Sequence, residues 1–286
     1  MPSRRGGRRS QGRGGTQRHA EALRGIWRCH PPTQWGGRIV LLLALLLPAL
    51  AAVKPVVNTH YYPISHTMKC LVHLPTGYDP SKAYPLLIGL HGSGGSPQNF
   101  AGLWEKHSRA QCLLAAPEGP YLLPPEQRRD IPGHSWFLQV KDRRIWAMVD
   151  PPVVRAMTAT VDEIKANYKV GPVYILGFSQ GASLAYQAAL RDPGIFSGVL
   201  AVAGLFPAEF LTQADLDRAA PMLRVFIAHG TRDAVIKPAA SEKARSFLEQ
   251  AGFQVTYQSF KGGHELPAVL FRDILAWIGA PVDKSG

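Results

Sequence analysis

Along most of this chain, short apolar runs rich in β-forming residues alternate with segments of helical period. Strand candidates lie at residues 60–64, 69–74, 86–90, 112–115, 173–176, 198–202, 223–228 and 255–260. Helix candidates lie at residues 98–109, 152–168, 179–191, 241–250 and 268–277, and Pro97 and Pro152 suit first-turn positions. The alternation predicts an α/β fold, with a mostly parallel twisted sheet of about eight strands and helices on both faces.

The composition is that of a folded protein with a substantial core. Hydrophobic residues make up 46% of the 286 and charged residues 18%, which excludes a disordered chain. We expect a single α/β domain over residues 53–286, preceded by a basic leader with a signal-peptide-like segment over residues 1–52.

The net charge of +12 is concentrated in the leader. Residues 1–38 contain nine Arg and one acid, Glu21, whereas the rest of the chain carries 23 basic and 19 acidic side chains without an obvious basic stripe. No nucleic-acid partner is therefore expected.

The basic region is followed by an apolar run at residues 39–52, which is closed by the small residues Ala49 and Ala51. This pattern predicts a secretory signal peptide, and the run is shorter than the ~20 residues of a spanning helix. We expect cleavage near Ala51, a secreted or periplasmic protein, and no stable membrane span in its mature form. An uncleaved signal that anchors the protein in a membrane, and an organelle transit peptide, remain alternatives.

Two cysteines follow the leader. Cys70 and Cys112 each lie in a strand-like run, where a thiol behaves as a small apolar side chain. A disulfide is the alternative, because export would permit it.

The segment 173–182, VYILGFSQGA, carries the main functional signal. A buried strand is followed by G-x-S-x-G at residues 177–181 and then by a helix. A nucleophile elbow needs this order, because its serine lies on a strained strand-to-helix turn where flanking small residues prevent clashes. The sequence therefore predicts that Ser179 is a catalytic nucleophile; a glycine-rich turn with a surface serine is the alternative for the bare motif.

A serine hydroxyl is a poor nucleophile unless a base oriented by a carboxylate takes its proton. After an elbow of this kind, the acid comes next in the chain and the histidine last. His229 ends a strand candidate, so we assign it a packing role. His264 lies on a glycine-rich loop after the last strand candidate, and we predict that it is the general base.

Four aspartates lie between the serine and this histidine. Only Asp233 follows a buried strand candidate by a short turn, HGTRD. Asp192 suits a helix end, and Asp215 and Asp217 suit solvated helix positions. We therefore predict Asp233 as the orienting acid, with a turn-capping role as its alternative.

Acyl transfer also needs N–H donors for the oxyanion of the tetrahedral intermediate. The residue after the nucleophile, Gln180, is expected to supply one N–H. The second is expected from the loop after the third strand candidate, residues 86–90. That loop is His91-Gly-Ser-Gly-Gly, and we nominate the Ser93 N–H, with Gly92 as the alternative. His91 is predicted to be a structural residue under the loop.

At these residues the chain resembles the phospholipase/carboxylesterase family of α/β-hydrolases, which includes acyl-protein thioesterases. The resemblance rests on GFSQGA around Ser179, HGTRD ending at Asp233 and GGHEL around His264, and it covers about residues 68–280. It implies a compact esterase, without a metal or an organic cofactor, that acts on short acyl esters or related thioesters.

The glycine-rich loop departs from that family, which has an acidic residue after L-H-G-x-G where this chain has Gly95 and Ser96. This version resembles secreted feruloyl esterases and polyhydroxybutyrate depolymerases, so the substrate is expected to be a small-molecule or lipid ester whose identity stays open. A serine peptidase, an acyltransferase and a catalytically silent hydrolase-fold binding protein are the alternatives.

Candidate pocket walls are the apolar residues Trp136, Phe137, Leu205, Phe206 and Val235. They could equally belong to the core. The first two lie in a stretch at residues 117–150 that is rich in Pro, Arg and aromatic residues and is long for a connection. That stretch is either a lid or substrate loop, or a packed excursion.

Overall fold

The computed structural model describes residues 68–104, 110–123, 133–138 and 143–279, apart from the side chains of residues 143–151. The leader and the strand candidate at 60–64 lie outside the described residues. All described residues belong to one compact unit, Ile64–Gly286. Within that described part of the chain, no helix is both long enough and apolar enough to cross a lipid bilayer.

Nine strands are described, and seven of them form one sheet. They are β1 Cys70–His73, β2 Tyr84–Leu90, β3 Leu113–Pro117, β4 Tyr121–Leu123, β5 Gly133–Ser135, β6 Val170–Phe178, β7 Gly198–Val202, β8 Arg224–Gly230 and β9 Gln254–Phe260. The large sheet has the order β1-β3-β2-β6-β7-β8-β9, while β4 and β5 form a separate antiparallel pair. Only β1 runs antiparallel, against β3.

The α/β fold class is therefore confirmed, with seven described strands in the large sheet instead of about eight. Every predicted strand from residue 69 onward is present, with ends shifted by at most three residues. The β4–β5 pair, in the long 117–150 stretch, was not predicted, because strands of three residues are too short to show a period.

Six α-helices are described: α1 Pro97–Trp104, α2 Arg143–Asn167, α3 Gln180–Arg191, α4 Gln213–Ala219, α5 Ala239–Gln250 and α6 Leu270–Trp277. Pro97 is the first residue of α1, as predicted. The first-turn prediction for Pro152 is wrong, because α2 begins at Arg143. The apolar period that marks this helix in the sequence starts at its buried residues Val153 and Met157, well after its first turn.

The helices cover both faces of the sheet. Along the central strands, alternate residues enter two separate apolar clusters, so that Ile175 packs on one face and Leu176 on the other. Residues of α2, α3, α4 and α5 join the first cluster, and residues of α1 and α6 join the second. This two-sided burial explains why the central strands are apolar throughout.

The parallel topology places the predicted functional segments at one edge. The loop that starts at His91 follows β2, Ser179 follows β6, and the turn with Asp233 follows β8. His264 lies after β9. Carboxyl ends of parallel strands share one edge of the sheet, which is where open α/β folds bind ligands.

Candidate active site

Ser179 occupies the sharp turn between β6 and α3. Its backbone has φ +54° and ψ −118°, a conformation that is costly for a non-glycine residue and is concentrated at functional sites. The Ser179 N–H donates to the Val202 carbonyl of the neighbouring strand at 2.9 Å. The turn therefore has the strained backbone that the G-x-S-x-G motif predicts.

Sterics explain why this motif has glycine at residues 177 and 181. A Cβ atom on Gly177 would collide with the carbonyl of Gly181, and one on Gly181 would collide with the carbonyls of Leu90 and His91. Side chains at these positions would separate α3 from β2 and β6. Strand and helix can approach this closely because both residues are glycine.

His264 joins the serine to a buried carboxylate. Its Nδ1 lies 2.7 Å from Asp233 Oδ2, and its Nε2 lies 2.8 Å from Ser179 Oγ. Because the carboxylate can only accept, Nδ1 carries the proton and donates it to Asp233. Nε2 is then a lone-pair acceptor for the serine hydroxyl, which is the tautomer that a general base needs.

Asp233 is held by the turn that follows β8. It is 3% exposed, and its Oδ1 accepts the N–H groups of Val235 and Ile236 at 2.8 and 2.9 Å. Burial raises the pKa of this carboxyl, but the hydrogen bonds from His264, Ile236 and Val235 outweigh it and hold the pKa below its ordinary value. The group is accordingly an ionised acceptor for the His264 ring at neutral pH.

The loop that carries the histidine packs directly on the end of β8. The N–H of Arg232 donates to the Gly262 carbonyl at 2.8 Å, and that of Thr231 donates to the Phe260 carbonyl at 2.9 Å. A Cβ on Gly230 would collide with the carbonyl of Gly263. These contacts fix His264 relative to the turn that holds Asp233.

His229 lies closer to the site than its predicted packing role implies. Its ring is fully buried, as expected, but its Nε2 is 3.1 Å from Asp233 Oδ2 and 2.9 Å from the Ile236 carbonyl. The prediction treated His229 as a strand-end residue and missed these polar contacts. The sequence signal for these contacts was the short HGTRD segment. It contains a tight turn that brings Asp233 back against His229.

The glycine-rich loop after β2 lies against the nucleophile. A Cβ built on Gly92 would stand 3.4 Å from the Ser179 Cβ. Within the loop, the Gly94 N–H donates to the His134 carbonyl at 2.9 Å and the Gly95 N–H donates to the Gly92 carbonyl at 3.0 Å. Gln180 is the first residue of α3, where backbone N–H groups have no acceptor within the helix. Both predicted sources of oxyanion donors, the loop and Gln180, therefore border Ser179.

One short segment connects these two sources. Gln180 Oε1 accepts the Trp136 N–H at 2.9 Å, and Gln180 Nε2 donates to Ser135 Oγ at 2.9 Å. The indole Nε1–H of Trp136 donates to the His91 carbonyl at 2.7 Å. The described part of the 117–150 stretch around Trp136 is thus packed against the site, with the Trp136 side chain fully buried.

His91 supports the loop from below, as predicted. Its ring stacks on Trp136 at 4.7 Å between centroids. The Gly119 N–H donates to its Nε2 at 3.1 Å, so Nδ1 carries the proton and donates to the Gly92 carbonyl at 2.8 Å. Burial lowers the pKa of His91 to about 4. The ring is therefore neutral at pH 7.

A cavity of about 990 Å³ lies beside the elbow. The loop His91 to Ser96 forms one side of it, and Phe178, the residue before the nucleophile, borders it. Its apolar wall consists of Phe100, Leu103, Leu122, Phe178 and Leu266. Its polar wall consists of Lys69, Glu118 and His134, with five further polar side chains of the loop and α1. The ammonium of Lys69 and the ring of His134 stand 3.5 and 3.4 Å from the same Glu118 oxygen.

None of the five predicted pocket-wall residues lines this cavity. Trp136 and Phe137 are buried beneath the loop, so they are core residues at this site. Leu205 and Val235 are exposed at the surface, and Phe206 packs on Tyr186 and Phe247.

Neither a metal-ligand cluster nor a disulfide is found in the described part of the chain. Among the described residues, no three His, Cys, Asp or Glu side chains are grouped as metal ligands. Cys70 and Cys112 are both free thiols, which agrees with the first of the two expectations for them.

A family model described as phospholipase/carboxylesterase matches residues 78–280. The match contains Ser179, Asp233 and His264. The chain belongs to the phospholipase/carboxylesterase family. This is a family of carboxylic ester hydrolases, and the chain is an enzyme of that class.

Similar proteins and solved structures align with most of the chain. Acyl-protein thioesterase 1 of Eremothecium gossypii is 29% identical over 221 residues, which are 71% of this chain and 90% of that protein. The crystal structure of esterase PE8 has a TM-score of 0.60 at 20% identity and covers 75% of this chain and 99% of its own. The Bacillus cereus carboxylesterase structure has a TM-score of 0.58 at 23% identity and covers 74% and 93%. At these identities the structural likeness establishes the α/β-hydrolase fold.

Proposed function

We propose that the protein hydrolyses carboxylic esters through a covalent acyl-enzyme, with Ser179 as nucleophile, His264 as general base and acid, and Asp233 as the orienting carboxylate. The observation that carries this proposal is the unbroken row of hydrogen bonds from Asp233 through His264 to the serine hydroxyl, 2.7 and 2.8 Å long. The row ends on Ser179, which has a positive φ and whose neighbours Phe178 in the chain and Gly92 in the loop line the cavity.

In the acylation step, Ser179 Oγ bonds to the ester carbonyl carbon while its proton moves to His264 Nε2. The tetrahedral oxyanion then collapses, the bond to the alcohol oxygen breaks, and the alcohol leaves with the proton from His264. In deacylation, water gives a proton to the same nitrogen and attacks the acyl carbon. Ser179 Oγ leaves as the carboxylic acid forms and takes the proton back.

Two backbone N–H groups are proposed to bind the oxyanion. The Gln180 N–H is at the start of α3, where the helix dipole also favours negative charge. The second donor is the Ser93 N–H, with Gly92 as the alternative, in the loop that touches Ser179.

The cavity indicates the substrate class. An acyl or aryl group suits the wall of Phe100, Leu103 and Leu266, because burying apolar surface there contributes roughly 25 cal/mol per Å². Lys69, Glu118 and His134 offer hydrogen bonds to a polar substituent at the other wall. We propose a neutral ester with an apolar or aromatic body, a class that includes feruloyl esters as well as short aliphatic ones.

Export is proposed from the leader, whose residues lie outside the described part of the chain. The support is the sequence pattern of an Arg-rich segment, an apolar run and small residues near position 51. Mass spectrometry of protein recovered from an expressing culture tests it, with an N-terminus near residue 52 expected.

Hydrolysis of p-nitrophenyl butyrate by three proteins tests the catalytic proposal. Ser179→Ala is expected to lower kcat at least ~10³-fold, because no other group can form the acyl-enzyme. Ser183→Ala is the matched control, since this serine lies one turn further along α3 and donates to the Leu205 carbonyl at 2.8 Å. It should keep wild-type kcat, and both variants should unfold at the wild-type temperature.

Full activity in folded Ser179→Ala would overturn the proposal. The same assay with anilide analogues and with added alcohol acceptors separates ester hydrolysis from peptidase and acyltransferase activity. Hydrolysis in water as the main reaction, with anilides cleaved far more slowly, is the expected outcome.

A further inference from the structure

His229 is the one buried histidine in the described residues that contacts the candidate triad without belonging to it. It ends β8, four residues before Asp233, and its side chain has no exposed surface. Burying a polar ring is unfavourable unless its nitrogens are bonded. The partners of those nitrogens therefore indicate what the ring does.

The Nε2 atom of His229 faces two oxygen acceptors. The Ile236 carbonyl is 2.9 Å away and Asp233 Oδ2 is 3.1 Å away. Neither oxygen can donate, so Nε2 must carry a proton. That N–H donates to the Ile236 carbonyl, and its positive end also lies against the Asp233 carboxylate.

The other nitrogen fixes the ring. His229 Nδ1 is 2.6 Å from Ser241 Oγ, near the start of α5. In the neutral ring with its proton on Nε2, the Ser241 hydroxyl donates to Nδ1. The two acceptors at Nε2 set the tautomer, and the bond to Ser241 fixes the orientation of the ring.

These contacts reach both oxygens of Asp233. Oδ2 receives the His264 N–H and stands beside the His229 N–H, while Oδ1 receives the Ile236 N–H. His229 binds the carbonyl of that same Ile236. His229 consequently anchors the turn whose backbone N–H binds Asp233 Oδ1. The His229 ring itself lies directly against Asp233 Oδ2.

We propose that His229 is a positioning residue that fixes the Asp233 carboxylate, and through it the His264 ring, in the orientation needed for proton transfer from Ser179. This rests on the proposed function. Packing alone does not explain a histidine here, since a leucine would fill the space and leave the Ile236 carbonyl and Asp233 Oδ2 without this N–H. Because the group is buried, water cannot replace it.

The closing experiment is a double-mutant cycle between His229 and Asp233. Hydrogen bonds to charged groups contribute about 1.5–3 kcal/mol, so His229→Leu should lower kcat roughly 10- to 100-fold with little change in KM. His229→Gln keeps an N–H near the position of Nε2 and should recover most of that loss. Asp233→Ala should lower kcat further, and adding His229→Leu to it should change kcat less than threefold.

Variants of α5 supply the matched control. Ser241→Ala removes the partner of His229 Nδ1 and should lower kcat several-fold. Ser246→Ala removes a hydroxyl of the same helix that donates to the exposed Glu242 carbonyl and should leave kcat unchanged. Thermal unfolding of each protein identifies any variant that fails to fold, and His229→Gln keeps the test valid if His229→Leu does not fold.

Three outcomes decide the matter. Non-additive losses with rescue by glutamine support the positioning role. Additive losses in the cycle, or wild-type kcat in folded His229→Leu while Asp233→Ala is inactive, overturn it and leave the proposed triad intact. Wild-type activity in Asp233→Ala would instead contradict the proposed function itself.

Discussion

The indole N–H of Trp136 donates to the backbone carbonyl of His91 at 2.7 Å. This bond links a segment between β5 and α2 to the first residue of the glycine-rich loop beside Ser179. The same segment is bonded to the Gln180 side chain. Both proposed oxyanion donors therefore depend on the placement of Ser135 and Trp136.

Trp136→Phe should weaken catalysis more than binding. The phenyl ring keeps most of the buried apolar contact but leaves the His91 carbonyl without its donor, so the loop can shift relative to the oxyanion. Since a lost oxyanion contact costs about 2.7–4 kcal/mol and the loop is only loosened, we expect kcat to fall about tenfold with KM within twofold. Steady-state kinetics on p-nitrophenyl butyrate measures both.

Trp277→Phe is the control for that variant. Trp277 lies in α6, away from the elbow, and its indole N–H donates to Thr256 Oγ1 at 3.0 Å. The two variants lose the same kind of bond, and only the first should lose kcat. Equal losses in both would show that Trp136 acts through general stability.

Gly181→Ala should disrupt the elbow. The new Cβ would collide with the carbonyls of Leu90 and His91, so α3 must move away from β2. Overpacking of this kind costs about 3 kcal/mol, and chemical denaturation should show that loss in the free energy of unfolding. Gly102→Ala in α1 meets no atom within 4 Å and should be neutral or slightly stabilising. Unchanged stability in Gly181→Ala would contradict the packing described here.

The stability of the protein should fall on mild acidification because of His91. Burial lowers its pKa from 6.5 to about 4, so between these values the unfolded state binds more protons than the folded state. Linkage then removes stability as pH falls through this window, by about 3 kcal/mol in total. Asp233 does not contribute to the loss of stability in this pH window. Its pKa is held below 3.8, so the stability that it contributes is lost only at lower pH.

Denaturant unfolding between pH 7 and pH 4 tests this assignment. His91→Gln should show a flatter decline than the wild type, since glutamine takes up no proton there. Parallel curves for the two proteins would mean that another group is responsible.

The two thiols should be unreactive in the folded protein. Burial raises the pKa of Cys70 to about 11 and that of Cys112 to about 12, so the thiolate that attacks iodoacetamide is scarce at neutral pH. Peptide mapping by mass spectrometry should find no alkylation of Cys70 or Cys112 without denaturant and alkylation of both in guanidinium chloride. Rapid labelling of native Cys112 would contradict its burial.

The sequence was informative about the site wherever function imposes an order along the chain. Ser179 needs a strand before it and a helix after it, and Asp233 and His264 must follow in that order, so each could be placed from local patterns. The parallel strands then bring them to one edge of the sheet without further information.

Residues that depend on tertiary contacts were not predictable in the same way. His229 resembles a strand-end residue until the turn after β8 folds back onto it. Lys69, Glu118 and His134 come from three separate segments, and nothing in the local sequence shows that they line one cavity. Trp136 was expected in a pocket wall, whereas its side chain is buried and its N–H holds the loop.

The most direct test of the central claim is covalent labelling with a fluorophosphonate, followed by tryptic peptide mapping. The reagent phosphonylates a serine only where a base activates it, and the stable adduct mimics the proposed acyl-enzyme. We predict one adduct per chain on Ser179, absent from Ser179→Ala and greatly slowed in His264→Ala. An unlabelled wild-type protein, or an adduct on another serine that persists in Ser179→Ala, would contradict the assignment.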